Sequence, residues 1–295
     1  MPGSDSTART IRRRRLTAIL LLALFVGGLL VWGALLLGLF STDTETQGTQ
    51  RSRITVSSPA LGKDRSVSLI EPSGSGAGRP LLVFLHGRGE SAPSYLENEE
   101  LLAALGRLGR RAPAIAIPDG GESSYWHNRD DGDWADYVID DVIPTVTAEV
   151  GADPKRVAIG GISMGGFGAY SLALSNPGRF CAVGGHSPAL WLEGGDSAPG
   201  AFDNGEDFER HDVLEQVAES PVPFGGIPVW NDIGEEDPFL ISSVELAESL
   251  RTTGAEATTH VWPGGHDYEY WNRHWDAYLR FYAEALANCE TAALR

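Results

Sequence analysis

A serine hydroxyl is a poor nucleophile until a base takes its proton, and the base works best when a carboxylate orients it. This chain carries a serine in a setting suited to that chemistry. Ser163 lies in Gly161-Ile162-Ser163-Met164-Gly165, a G-x-S-x-G pattern. The pattern alone is weak, and its surroundings strengthen it. "RVAIGG" before it reads as a buried strand, and "MGGFGAYSLALSNP" after it as a helix stopped by Pro177. A serine between the two sits on a strand-to-helix elbow, where a strained backbone holds the hydroxyl outward. Gly160, Gly161, Gly165, Gly166 and Gly168 leave room for that turn and for helix and strand to approach closely. A glycine-rich phosphate loop is the competing explanation, but neither a G-x-G-x-x-G spacing nor a following lysine is present. On such an elbow the acid and then the base follow the nucleophile, each at a later strand end. "VWNDIGEEDPFL" and "VWPGGHDYEYW" stand at those places and supply Asp237 and His266. Asp232, Glu235 and Glu236 compete for the role of the acid. Of the seven histidines, His260 falls inside a strand, His274 on the last helix, and His186 too early in the chain order.

These side chains need a scaffold that brings distant positions to one rim. "ITVSS" and "RSVSLIEP" alternate apolar and polar residues around "PALGKD", the pattern of an antiparallel pair. "PLLVFLHGRG" and "APAIAIPDGG" are continuous apolar runs ending in turn residues, as in strands buried on both faces. "FCAVGGHS", "IPVWNDIG" and "ATTHVWPGG" read as further strands. Helical stretches alternate with them: "SYLENEELLAALGRLGR", "WADYVIDDVIPTVTAEVG" bent at Pro144, "PFLISSVELAESLRTTG" and "YWNRHWDAYLRFYAEALANC". The alternation predicts an α/β fold with a mostly parallel sheet and helices on both faces, which binds ligands beyond the carboxyl ends of its strands. Residues 191–223 lose this rhythm and predict one helix with much loop, in the manner of a lid.

"LHGRG", "SYWHNRDDGDW", "GGISMGGFGAY", "DIGEEDPF" and "PGGHDYEYW" resemble the esterase family of α/β-hydrolases that contains S-formylglutathione hydrolase, feruloyl and acetylxylan esterases, and secreted mycolyltransferases. The resemblance covers roughly residues 53–290, and its specific pieces are the elbow and the D-x-G-x-x-D-x-F stretch. It implies an α/β-hydrolase fold, Ser163 as nucleophile, Asp237 as orienting acid and His266 as base. It also implies an oxyanion hole from the backbone N–H groups of Met164 and Arg88. His86 then precedes the oxyanion loop, and His86, Trp126, His127 and His186 become candidates for lining the pocket. In this fold Cys181 begins its strand at the end of the sheet away from the site, and the final helix brings Cys289 to that same end. A disulfide between them is geometrically open; the alternative is a buried apolar Cys181. The implied activity is hydrolysis of carboxylic esters through an acyl-enzyme. Transfer of the acyl group to a sugar or lipid hydroxyl, and a non-catalytic binding module on the same fold, are the alternatives. The family's mycolyltransferases carry Glu as the acid, so Asp237 favours hydrolysis.

Composition narrows the partners. The formal charge of −17 disfavours nucleic acid. "DDGDWAD" lacks the spacing of a calcium loop, and no His/Cys set has zinc spacing, so neither metal nor cofactor is expected. Arg12, Arg13, Arg14 and Arg15 precede the uncharged run Leu16–Phe40. As a helix that run reaches roughly 37 Å, enough for a bilayer core of about 30 Å. Residues 1–15 are therefore expected in the cytoplasm, 16–40 as a transmembrane signal anchor, 41–51 as a polar linker, and 52–295 as the hydrolase domain on the extracytoplasmic side. A cleaved signal and a secreted domain are the alternative. Acyl and alcohol specificity and oligomeric state are not encoded in any readable pattern.

Overall fold

The computed structural model describes residues 44–46, 48–74 and 76–289. Among them no helix is long and apolar enough to cross a membrane, and the span expected at 16–40 lies outside them, as does the segment 1–15. Eleven strands are present in the described chain: β1 (Thr44–Thr46), β2 (Thr49–Ser58), β3 (Lys63–Pro72), β4 (Arg79–Leu85), β5 (Ala114–Pro118), β6 (Asn128–Arg129), β7 (Gly132–Asp133), β8 (Ala152–Ile162), β9 (Val183–His186), β10 (Val229–Gly234) and β11 (Ala257–Trp262). Strands β6 and β7 form a small hairpin, and the other nine form one sheet in the order β1-β2-β3-β5-β4-β8-β9-β10-β11. The ladder from β5 to β11 is parallel, while β1, β2 and β3 run antiparallel at one edge. After β4 the chain crosses to β5 on one side and then returns to β8 on the other. That reversal beside β4 opens a crevice at the carboxyl ends of β4 and β8.

The apolar run of β4 shows how the layers form. Leu81, Val83 and Leu85 enter the core on one face of the sheet, and Leu82 and Phe84 enter the core on the other. A strand's two-residue period splits a continuous apolar run in this way. Each fully buried side chain of this size contributes about 1.5–3 kcal/mol. Helix α1 (Glu99–Leu108) and the long α7 (Tyr268–Asn288) cover one face through Leu101, Leu105, Tyr278 and Tyr282. The opposite face is covered by α2 (Trp134–Asp136, Tyr137–Val142 and Ile143–Glu149 in succession), α3 (Met164–Ser175), α5 (Val213–Glu219) and α6 (Leu240–Thr253). The middle part of α2 is π-helical, just ahead of Pro144. Proline has no N–H to give back along the helix, and its ring crowds the carbonyl four residues earlier, so the ladder widens there.

Two expectations are corrected. Residues 44–46 and 49–51, expected in a tether, belong to the edge strand β1 and its neighbour β2, with Gly48 between them at φ +73°. Threonine, being β-branched, suits a strand, which can pair here without aliphatic residues. In the segment 191–223 there are two short helices where one was expected, α4 (Gly205–Arg210) and α5. Asp212 separates them because its Oδ1 accepts from Leu214 N and Glu215 N and so starts a new helix.

Cys181 and Cys289 form a disulfide with Cα atoms 5.5 Å apart, closing a separation of 108 residues. It ties the end of α7 to the start of the β9 region. Loop-closure arguments assign such a link about 2–4 kcal/mol. A Cys181→Ser/Cys289→Ser variant is expected to unfold at lower urea concentration with a steeper slope, because the unlinked unfolded chain exposes more surface, and reductant is expected to shift the wild type in the same way and leave the variant unmoved.

Candidate active site

Ser163 adopts φ +53°, ψ −114°, outside the regions an L-residue prefers. Main-chain hydrogen bonds hold it there: Ser163 N donates to His186 O (3.0 Å), while Ser163 O accepts from Phe167 N (3.1 Å) and Ala189 N (3.0 Å). The turn demands close approach on all sides. A Cβ at Gly165 would overlap the carbonyl of Leu85, and one at Gly161 would overlap the backbone of Gly165. At Gly168 a Cβ would overlap the Trp126 side chain. The glycines therefore bring the start of α3 against the end of β4, where Leu85 pairs with Gly161.

His266 comes from the loop between β11 and α7. Asp267 fixes where that helix begins, its Oδ1 accepting from Tyr270 N at 2.9 Å. Asp237 comes from the loop after β10. The two loops are stitched together by Glu235 N to Trp262 O (2.8 Å) and Glu236 N to Gly264 O (2.9 Å). His266 Nδ1 lies 2.8 Å from Asp237 Oδ2, and His266 Nε2 lies 2.8 Å from Ser163 Oγ. A carboxylate only accepts, so the imidazole proton belongs on Nδ1 and Nε2 is left to accept from the serine hydroxyl. Asp237 Oδ1 accepts from Phe239 N at 2.9 Å, and the carboxylate is fully buried. The His266 ring is flanked edge-on by Phe239 (5.3 Å) and Trp271 (5.2 Å). The competing acids separate clearly: Glu235 and Glu236 are exposed, and Asp232 faces elsewhere.

In the loop after β4, Gly87 N donates to Glu90 Oε2 (2.8 Å) and Gly89 N donates to Glu122 O (3.0 Å). Among the described residues the N–H groups of Arg88 and Met164 have no such acceptor. They are the two amides named for an oxyanion hole. Glu90 also accepts from Tyr95 Oη at 2.6 Å. No sequence pattern singled it out, because its role depends on a turn that folds it back onto Gly87. A cavity of about 400 Å³ adjoins the elbow through Ile162 and is lined by Tyr95, Asn98, Tyr268, Trp271 and Asn272.

The four residues expected to line the pocket are all buried in packing and do not line that cavity. His86 Nε2 accepts from Gly120 N (3.0 Å), and its Nδ1 donates to Gly87 O (2.8 Å), bracing the loops after β4 and β5. Burial pushes this imidazole below its ordinary value, consistent with a neutral ring. The Trp126 indole fills the space left by Gly120 and Gly168 and donates to His86 O. His127 turns away to Asp207, and burial first, then the neighbouring His211, lowers it to about 4. His186 points under the sheet, because strand alternation sends its side chain to the α7 face. There its Nδ1 meets Asp232 Oδ1 (2.8 Å) and its Nε2 meets Tyr282 Oη (3.0 Å). Asp232 accepts in addition from Trp230 Nε1, Tyr270 Oη and Tyr278 Oη. Burial, and then the Asp232 charge, push the Tyr270 and Tyr278 hydroxyls up, which keeps both as donors.

A strained serine at the carboxyl end of a parallel strand, hydrogen-bonded to a histidine that follows β11 and through it to an acid that follows β10, defines an α/β-hydrolase-like protein. The comparison with known families is more specific. The chain belongs to the family described as "Putative esterase", whose model matches residues 58–282. An esterase of Mycobacterium tuberculosis is 24% identical over 253 residues, covering 70% of this chain and 53% of that protein. The chain thus spans about half the length of the curated relatives it matches first. Among solved structures, a ferulic acid esterase superposes with a TM-score of 0.72 at 21% identity, covering 81% of this chain and 98% of the other. An S-formylglutathione hydrolase from Agrobacterium tumefaciens gives 0.70 at 18% identity, with 83% and 98% covered. Both share the fold.

The elbow geometry makes a sharp prediction. Gly165→Ala is expected to destabilise by about 3 kcal/mol or more, because the new methyl meets backbone rather than a movable side chain. Gly166→Ala, whose Cβ would also meet backbone but only at 3.0 Å (Pro188) and 3.1 Å (Gly161 O), is expected to cost markedly less. Thermal unfolding of the two purified variants measures the difference.

Proposed function

We propose that this protein is a carboxylic ester hydrolase in which Ser163, His266 and Asp237 act as the catalytic triad. The observation that carries this reading is the continuous hydrogen-bonded chain from Ser163 Oγ through His266 to Asp237 on a strained elbow. Membership of the esterase family supports the bond class. Ser163 Oγ attacks the ester carbonyl as its proton passes to His266 Nε2. The imidazolium that forms is stabilised by Asp237, which also holds the ring in its working tautomer. The carbonyl oxygen becomes an oxyanion, and the N–H groups of Met164 and Arg88 are assigned to it, a single donor being worth about 3–4 kcal/mol. His266 then gives the proton to the departing alcohol, leaving Ser163 acylated. Water, deprotonated by the same histidine, releases the acid and restores the serine.

The proposal extends to location. Residues 16–40 anchor the chain, with the arginines at 12–15 on the cytoplasmic side and the hydrolase domain outside. The uncharged run and the Cys181–Cys289 disulfide support this placement, since disulfides persist in oxidising compartments. Protease added to intact spheroplasts is expected to digest the domain while alkaline carbonate leaves the chain with the membrane; a protected or extractable domain would overturn the location.

Hydrolysis rates across p-nitrophenyl esters from acetate to palmitate, with feruloyl and acetyl-sugar esters alongside, test the activity. Ser163→Ala and His266→Ala are each expected to lower kcat/KM by about 10,000-fold, and Asp237→Asn by a similar order. A fluorophosphonate probe is expected to label the wild type and spare Ser163→Ala. Equal labelling of both, or turnover unaffected by Ser163→Ala, would refute the assignment.

A further inference from the structure

The geometry points to a second site, unconnected with ester cleavage: His127, Asp207 and His211 bind one divalent transition cation of the zinc type. His127 Nε2 lies 3.1 Å from Asp207 Oδ2, and His211 Nδ1 lies 3.2 Å from Asp207 Oδ1. Ligand atoms from all three residues fall within 4.8 Å of one another. Ligands held at about 2.0–2.2 Å on a tetrahedral ion are themselves separated by roughly 3.3 Å. Each imidazole lies at close to that spacing from one oxygen of the same carboxylate, His127 from Oδ2 and His211 from Oδ1. Two imidazoles and a carboxylate are a donor set that zinc-type ions favour, and a water fills the fourth position.

The surroundings fit an ion as well. His127 Nδ1 faces the Tyr125 carbonyl at 3.4 Å, so with a metal on Nε2 its one proton has a partner on the other side of the ring. Asp207 Oδ2 is oriented by Asp203 N at 2.9 Å, and Asp207 N is held by Asn204 Oδ1 at 3.0 Å. The carboxylate is 1% exposed, and Phe167, Phe202 and Phe208 pack around this site. Its present counter-charge is Arg210, which reaches Oδ1 at 3.2 Å from a side chain that is half exposed. Without an ion the ring N–H groups donate to Asp207, and His211 Nδ1 also lies 2.9 Å from the Asp207 carbonyl. On binding, each ligating nitrogen presents a lone pair, and the proton it gives up shifts to the other ring nitrogen or leaves to solvent. No cysteine competes, because both form the disulfide. The ion fastens α4 to the loop after β5. From there a run of ring contacts, His127–Phe202, Phe202–Trp191, Trp191–Phe239 and Phe239–His266, leads to the candidate active site. The role that follows is structural: the ion holds the segment carrying α4 in place beside the site.

The test uses the full-length chain in detergent, stripped with chelator and dialysed. Co2+ is titrated while its visible absorption is followed, then Zn2+ is added as competitor, and Zn2+ affinity is measured by calorimetry. One tetrahedral Co2+ per chain, displaced by one Zn2+ with a Kd of about 1 µM or tighter, is expected. Zn2+ is also expected to raise the Tm of the wild type. His211→Ala lies on a partly exposed side chain and is expected to fold while weakening Zn2+ by about 100-fold and abolishing the Tm shift. Asp207→Asn provides a second variant with the same expected loss. Absence of stoichiometric binding at 100 µM Zn2+, a condition set roughly two decades above the expected Kd, would overturn the proposal. Equal affinity in wild type and His211→Ala would do so as well.

Discussion

Ser163 occupies a backbone conformation that costs about 1–3 kcal/mol and persists only where the surroundings over-determine it. Here three main-chain hydrogen bonds from different segments converge on one residue: β9 through His186 O, the loop after β9 through Ala189 N, and α3 through Phe167 N. Each also fixes a neighbour. The bond to His186 O ties the elbow to β9, and the absence of a Cβ at Gly165 lets α3 rest on Leu85 at the end of β4. The hydroxyl is thus aimed by the sheet rather than by its own rotamer preferences. Relaxing this turn would lose the contact with His266.

Beneath the elbow lies a polar cluster that serves the same end. Asp232 is wholly buried, and an unpartnered carboxylate there would cost several kcal/mol. Donors from His186, Trp230, Tyr270 and Tyr278 surround it. They come from β9, β10 and α7, so the charge cross-links the strand beside the elbow's own strand β8, and the strand that leads into the acid loop, to the helix that follows His266. Tyr282 completes the cluster by lying over Gly160 and Gly184, where any Cβ would overlap its hydroxyl. Two Asp–His pairs therefore sit near the carboxyl ends of these strands. The one at Asp237 has a serine within reach and a partly exposed imidazole, whereas the one at Asp232 is sealed in aromatic rings.

Much of the fold was legible because its signals are local. Continuous apolar runs mark parallel strands, since both faces of such a strand are covered. G-x-S-x-G between a strand and a helix marks the elbow, since only glycine tolerates the close backbone approach. Chain order pointed to Asp237 and His266 as residues at late strand ends, and the structure brings them into hydrogen-bond contact. Local signals failed where the deciding contact is remote. His86, Trp126, His127 and His186 lie beside turn residues and so looked like pocket walls. Each instead meets a partner far along the chain that buries it: Gly120, Gly168, Asp207 and Asp232 respectively. The strands at 44–46 and 49–51 escaped notice for a related reason, since a polar strand differs from a linker only in having a neighbour to pair with.

The residue order alone determined the strand–helix alternation and the serine elbow, and narrowed the acid and the histidine to a few residues at late strand ends, because those depend on periodicity and on steric limits within a few residues. Tertiary structure alone decided that Asp237 rather than Asp232 meets His266, that Cys181 and Cys289 bond, and that His127 joins Asp207 and His211. Those outcomes depend on sheet register and on the face to which alternation sends each side chain. A single-residue shift in register reverses that face, and only the closed sheet holds the register in place.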